Sequence, residues 1–232
     1  MQADPFSLSI VLPAYNEEEI LEETVQRAAI YARSRGFRFE MIVVNDGSTD
    51  DTRERAEQLQ STVPELRLVN HPTNRGYGEA LRSGFNAATK EWIFLMDADG
   101  QFDISELDRF LSATADADAL LGYRANRADT IIRAAFTRAY SLFIWVLFGL
   151  RVRDAGCAFK LFRRSAWLAA QPIVSRDHKI FTVEWLQNMQ RKGLRMTEFP
   201  VTHYPRTTGH PTGARPDVIW ETLKALVALR LR

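Results

Sequence analysis

Short apolar runs alternate with amphipathic stretches through the first half of the chain. Leu8 to Leu12 precedes a helical stretch beginning near Glu17, Glu40 to Val44 precedes Asp51 to Gln60, and Leu66 to Val69 precedes Gly78 to Ala88. Trp92 to Met96, a helix from about Ser105 and Ala119 to Leu121 continue the series. Runs of this length read as buried strands, and the helical periodicity between them as amphipathic helices. The alternation predicts an α/β domain: a mostly parallel sheet with helices on both faces and ligands gathered at the carboxyl ends of its strands.

After Gly122 the pattern changes. An arginine-studded amphipathic region from Arg124 to Arg153 leads to a short strand at Phe159 to Phe162, helices near Ser165 and over Phe181 to Gln190, and a strand near Met196 to Val201. A loop rich in Pro and Gly, Pro205 to Pro216, precedes a last helix from about Asp217. Neither a repeat nor a linker divides the chain, so 1–232 reads as one domain.

Charge changes this picture more than composition does. The chain has 232 residues, 46% of them hydrophobic, and a net charge of +1. Residues 1–122 hold 11 Lys and Arg against 22 Asp and Glu, whereas residues 123–232 hold 19 against 7. An acidic half tolerates a metal ion at its site; a basic half suits phosphate groups or an anionic membrane surface. The longest apolar run, Leu142 to Leu150, is far short of the ~20 residues a spanning helix needs. One cysteine, Cys157, cannot form an internal disulfide and the opening residues do not read as a signal peptide, so a cytoplasmic setting is expected.

Three polar clusters follow apolar runs: Pro13-Ala14-Tyr15-Asn16-Glu17, Asn45-Asp46-Gly47-Ser48 and Asp97-Ala98-Asp99-Gly100-Gln101. Ser48 or Thr49 is expected to cap the following helix. Capping does not account for Asp97 and Asp99, whose carboxylates, with Gln101 as a third oxygen, suit Mg²⁺ or Mn²⁺ bound to a substrate's phosphates. Asp46 stands where a carboxylate could accept from a base N–H or a ribose hydroxyl, and the backbone of Pro13 to Tyr15 could lie along a nucleoside. No Gly-x-Gly-x-x-Gly follows the first strand and no Walker lysine loop is present, which excludes the usual dinucleotide and ATP-hydrolysing sites.

Those clusters, extended to Leu12-Pro13-Ala14-Tyr15-Asn16-Glu17 and Val44-Asn45-Asp46-Gly47-Ser48-Thr49-Asp50 and joined by Asn74-Arg75-Gly76-Tyr77-Gly78, resemble family 2 glycosyltransferases. The nearer branch is that of the dolichol-phosphate or polyprenyl-phosphate mannosyltransferases. Arg153-Asp154-Ala155-Gly156-Cys157-Ala158-Phe159-Lys160 and the stretch from Pro200 to Gly209 extend the resemblance over roughly residues 7 to 215. Asn45 departs from the aspartate common at that place, and no hydrophobic membrane segments follow.

The resemblance implies a GT-A fold, with 1–122 as the nucleotide-sugar half and 123–232 as the acceptor and membrane half. It implies that Pro13, Tyr15, Glu17, Val44 and Asp46 hold the nucleoside, that Asp97, Ala98, Asp99 and Gln101 hold metal and diphosphate, and that Arg124 and Arg206 face the phosphates, with Asp99, Arg124 and Arg206 carrying the chemistry. The donor would be GDP-mannose, UDP-glucose or UDP-N-acetylglucosamine, the acceptor a polyprenyl phosphate at the cytoplasmic membrane face, and the outcome inverting. No nucleic-acid partner is expected.

A phosphate acceptor has independent chemical support. A sugar hydroxyl must be deprotonated by a positioned base, whereas a lipid monophosphate is already anionic because its second pKa is about 6. Arginines then matter more than a base, and Arg124, Arg127 and Arg138 would share one face if that stretch were helical. The rival readings are a GT-A enzyme acting on a saccharide or glycolipid hydroxyl, with Asp154 or Glu184 as base, and a non-catalytic nucleotide-sugar-binding scaffold. His71, His178, His203 and His210 lack metal-ligand spacing and are expected on the surface or in loops. A stripe of Phe136, Tyr140, Phe143 and Leu147 is expected to lie in a membrane interface, beside a final helix bearing Ile219, Trp220, Leu223 and Leu226.

Overall fold

The computed structural model describes residues 4–127, 131–173, 180–206 and 216–231. Seven strands form one sheet: β1 (Ser7–Ala14), β2 (Arg38–Asp46), β3 (Leu66–His71), β4 (Trp92–Met96), β5 (Ala119–Arg127), β6 (Phe159–Arg163) and β7 (Met196–His203). Their order is β3-β2-β1-β4-β6-β5-β7. Neighbours are parallel except that β6 runs antiparallel to both β4 and β5.

Strand alternation splits the core between the two faces. Leu8, Ile10 and Leu12 of β1, with Trp92, Phe94 and Met96 of β4, pack under α1 (Leu21–Ser34), α2 (Thr52–Thr62) and α4 (Leu107–Leu111). Val11, Ile93 and Leu95 point the other way, to α3 (Tyr77–Ala87), α5 (Ile131–Phe148), α6 (Arg164–Ala169), α7 (Phe181–Arg191) and α8 (Pro216–Arg230). Every residue of β1 is buried, which explains why it reads as a continuous apolar run.

Three expectations are corrected. The first helix begins at Leu21, because Glu17 opens a turn whose carbonyl accepts from Ile20 and Leu21 N–H groups. β5 continues through Arg127, so Arg124 and Arg127 lie on a strand and share no helical face with Arg138. The α5 stripe points inward: Tyr140, Phe143 and Leu147 pack against the core around buried Ile144, while Leu142, Trp145 and Val146 are 58%, 45% and 69% exposed. The side chains of Arg127, Arg133, Phe136, Arg138, Ile219 and Trp220 lie outside the described residues, as do His178 and His210. Among the described residues no helix is long and apolar enough to cross a membrane.

Candidate active site

The carboxyl ends of β1, β2, β4, β5 and β7 and the loop entering β6 meet at one edge of the sheet. Pro13 and Val44 stand opposite each other in the β1–β2 register. Beyond them Asp46, only 3% exposed, accepts from the backbone N–H of Arg75 at 2.9 Å and of Gly76 at 2.8 Å, and from His71 Nδ1 at 2.7 Å. The carboxylate thereby fixes the turn that opens α3. Gly47 makes the same turn possible: its φ is +65°, and a Cβ there would stand 2.2 Å from the carbonyl carbon of Thr73.

Asn16 occupies the left-handed region at φ +55°, which Asn tolerates better than most residues. Its Oδ1 accepts from Thr49 N–H at 2.9 Å, and its own N–H donates to Ser48 Oγ at 3.0 Å. Ser48 and Thr49 therefore stitch the first two clusters together and do not cap α2. Asp50 takes that place, accepting from the N–H and hydroxyl of Thr52.

Asp97 and Asp99 emerge from β4. Tyr77 donates its hydroxyl to Asp97 Oδ1 at 2.9 Å, and Ala98 N–H reaches Pro13 O at 3.4 Å. Burial, then the charge of Asp99, raises the Asp97 carboxyl above the usual range; donation by Tyr77 and the charges of Arg124 and Lys160 oppose this without reversing it. Gln101 Nε2 donates to Tyr204 O at 2.8 Å while Tyr204 N–H returns a bond to Gln101 O at 2.9 Å, so Oε1 is the amide atom left to face a cation. Hard oxygen donors held close enough to repel one another fit Mg²⁺ or Mn²⁺. Among the described residues no set of three His, Cys, Asp or Glu side chains is grouped to hold a metal, so the remaining ligands would have to come from Gln101, water or substrate.

The arginines arrive from the second half. Arg124 on β5 donates to Asp154 through Nε at 2.7 Å and Nη2 at 2.9 Å. Arg206, just past β7, bonds Glu17 through Nη2 and lies with Nη1 4.0 Å from Asp99 Oδ2. Burial raises Glu17's carboxyl, and Arg206 offsets this only in part. The guanidinium of Arg206 thus spans the cluster behind β1 and the acidic cluster behind β4. Tyr15, just past β1, is 42% exposed.

Sequence reasoning missed His71 and Tyr77. His71 is 4% exposed, not a surface residue; it bridges Asp46 and Ser83, whose Oγ lies 2.9 Å from Nε2. The signal that could have found it is the parallel β2–β3 pairing, which sets Asp46 opposite His71. His203 packs edge-on against Phe102. Cys157 is buried, with its thiol pushed up to about 11 by burial, and is a packing residue as expected.

A parallel sheet bearing an acidic loop off its central strand, a buried aspartate two strands away and one antiparallel strand inserted beyond is the GT-A architecture of nucleotide-sugar-dependent transferases. Glucosyl-3-phosphoglycerate synthase from Mycobacterium tuberculosis, solved with Mn²⁺ and UDP-glucose, superposes with a TM-score of 0.68 over 97% of this chain and 78% of its own, at 20% identity. The model of glycosyl transferase family 2 matches residues 9–167, and the chain belongs to that family. Dolichyl-phosphate beta-glucosyltransferase of Saccharomyces cerevisiae is 30% identical over 220 residues, 84% of this chain and 66% of that protein. Undecaprenyl-phosphate 4-deoxy-4-formamido-L-arabinose transferase of Salmonella paratyphi B is 30% identical over 209 residues, 87% and 61% of the two chains. The chain spans less than two thirds of the length of these curated relatives.

Proposed function

We propose that the protein transfers a hexose, glucose or mannose, from a nucleotide sugar to a polyprenyl phosphate at a membrane surface. The observation that carries this reading is that two arginines stand at the acidic loop, where Asp154 is engaged by Arg124 and Glu17 by Arg206, and where Asp97 and Asp99 are assigned to the metal and so are not free to act as bases. An ion-paired carboxylate is a poor general base, so a hydroxyl acceptor is badly served and an anionic phosphate well served. The relatives' names, both of polyprenyl-phosphate sugar transferases, support the same acceptor class.

In this reading Pro13, Tyr15 and Val44 flank the nucleoside, and Asp46 shapes its pocket by holding the 74–76 turn. Asp97, Asp99 and Gln101 would hold Mg²⁺ or Mn²⁺, which would supply positive charge to the leaving diphosphate. Glu17 keeps Arg206 poised over the phosphates, and Arg124 meets the acceptor phosphate. The acceptor oxygen forms a bond to the anomeric carbon as the carbon–oxygen bond to the nucleoside diphosphate breaks, its electron pair leaving with the diphosphate. A dianionic phosphomonoester has no proton to lose in that step. One in-line displacement inverts the anomeric centre.

The membrane approach is assigned to the outward face of α5. Leu142, Trp145 and Val146 lie at i, i+3 and i+4; α8, which contacts α5, exposes Val227, with exposed Leu231 just past its end, and Arg151, Arg153 and Arg230 are exposed as well.

The deciding experiment incubates the protein with Mn²⁺ and labelled UDP-glucose, GDP-mannose or UDP-N-acetylglucosamine, with either polyprenyl phosphate vesicles or oligosaccharides. Label entering the lipid phase supports the reading. Label entering only oligosaccharide replaces it with a hydroxyl-acceptor enzyme; donor binding with neither transfer nor donor hydrolysis replaces it with a scaffold.

A further inference from the structure

Lys160 lies in the middle of β6, opposite Leu95 on β4 and Leu121 on β5, and is 1% exposed. Its strand neighbours Phe159, Leu161 and Phe162 are wholly buried. A buried ammonium is costly unless its donors are satisfied and an anion is near. Here Nζ reaches back along the chain to two carbonyls of the loop entering the strand, Ala155 O at 3.1 Å and Cys157 O. The same loop is closed by Cys157 N–H on Asp154 O at 3.2 Å. Its first residue, Asp154, is the carboxylate that grips Arg124 in a two-pronged pair. Asp154 is 7% exposed. Burial lowers the pKa of the Lys160 amine, and the charge of Asp154 opposes that shift while also favouring the charged form of Arg124.

We infer that Lys160 is a positioning residue for Arg124: it fastens the 154–157 loop from within the sheet, so that Asp154 holds the guanidinium at the acceptor phosphate. Two features support a donor over an apolar side chain of similar volume. The loop turns two carbonyls onto Nζ, which only a donor satisfies. The loop residue ahead of them, Asp154, is ion-paired to Arg124, so a loop left slack at 155–157 would loosen that pair.

The inference rests on the reading that Arg124 serves the acceptor phosphate, and a double-mutant cycle keeps the two apart. Lys160→Met, Arg124→Ala and the double variant are compared for kcat and for KM toward polyprenyl phosphate, and for affinity toward the nucleotide sugar with Mn²⁺. Lys160→Met is expected to lose on the order of 10–100-fold in kcat, the scale seen for supporting-shell partners, with donor affinity within about twofold and the melting transition still cooperative. In the Arg124→Ala background its further cost shrinks to under about threefold, because the two residues act as one unit. Near-normal turnover by Lys160→Met while Arg124→Ala is crippled overturns the positioning role alone, as does an undiminished loss in the Arg124→Ala background. An Arg124→Ala variant that turns over like the wild type overturns both readings. Should Lys160→Met fail to fold, Asp154→Asn carries the test from the other end: a matching kcat loss at unchanged donor affinity supports the chain of contacts, and wild-type turnover overturns it.

Discussion

Asp46 and His71, 25 residues apart in sequence, meet across the parallel β2–β3 pair with Nδ1 2.7 Å from the carboxylate. The carboxylate requires a proton on Nδ1, and Nε2 on the far side of the ring lies 2.9 Å from Ser83 Oγ. Asp46 is therefore committed to structure as well as to any ligand. Asp46→Ala strands two backbone donors and one imidazole in a buried place, and should cost about 2–4 kcal/mol of stability. Donor affinity should fall with it. Urea unfolding of the variant beside the wild type checks the first expectation and calorimetric titration with a nucleotide sugar the second; unchanged stability would show that the turn holds itself.

Asp99 should behave oppositely. Its carboxylate accepts one bond from the Gln101 N–H of its own loop at 3.1 Å, lies 4.0 Å from Arg206 and is partly exposed, so no other element hangs on it. Asp99→Ala is expected to leave the melting temperature within a few degrees, while transfer falls by about 10²–10³-fold or more, as when a preorganised charge partner is removed. Full activity of that variant, or of the wild type in excess EDTA, would refute the assignment of the acidic loop to the metal and diphosphate.

The pattern of the first half was legible because buried parallel strands leave unbroken apolar runs, and Leu8 to Leu12 and Trp92 to Met96 fell on β1 and β4. The acidic loop was legible for the same reason, since Asp97 and Asp99 sit directly behind such a run. α5 was not: with Leu142, Ile144, Trp145, Val146 and Leu147 in succession, periodicity hardly distinguishes the inner from the outer side, and the aromatic stripe proved to be the inner one. Arg124 was read into a helix because the polar residues of β5 beyond Gly122 break the apolar signal. His71 was missed because its partners come from another strand and a helix: pairing β2 with β3 in register would have set it opposite Asp46, but nothing local marks its contact with Ser83.

Flotation with anionic liposomes tests the corrected α5 face. Wild type should rise with the vesicles, and Leu142→Glu/Val146→Glu should stay behind at an unchanged melting temperature, since both side chains already face water. Phe143→Glu should instead lower the melting temperature, because that ring packs against the core. Equal flotation of wild type and the double variant would move the membrane contact elsewhere.

Glu40 supplies a pH expectation. Burial raises its carboxyl, but donation by the hydroxyl of Ser9, by the N–H and hydroxyl of Thr89 and by Arg67 outweighs that and sets it below the ordinary value. A depressed folded pKa stabilises above the unfolded value, near 4.5, and the gain is lost as pH falls toward the folded value. Denaturant midpoints measured from pH 7 down to 3 should therefore fall less steeply in Glu40→Gln than in the wild type. Parallel curves would assign acid lability to other carboxylates.

The antiparallel strand in the middle of the sheet imposes an order on synthesis. β5 leaves the ribosome before β6, yet β6 alone joins it to the strands already made. Until residues 159–163 emerge, β4 presents an open edge and β5 has no neighbour to pair with. The acidic half can thus begin to collapse during translation, but the arginine on β5 cannot reach its station until the chain has doubled back between the two. The nascent protein therefore acquires the surroundings of Arg124 only after β6 and β7 have followed β5 out of the ribosome, and a ribosome stalled before residue 159 would hold an unfinished sheet exposing a pairing edge to any passing strand.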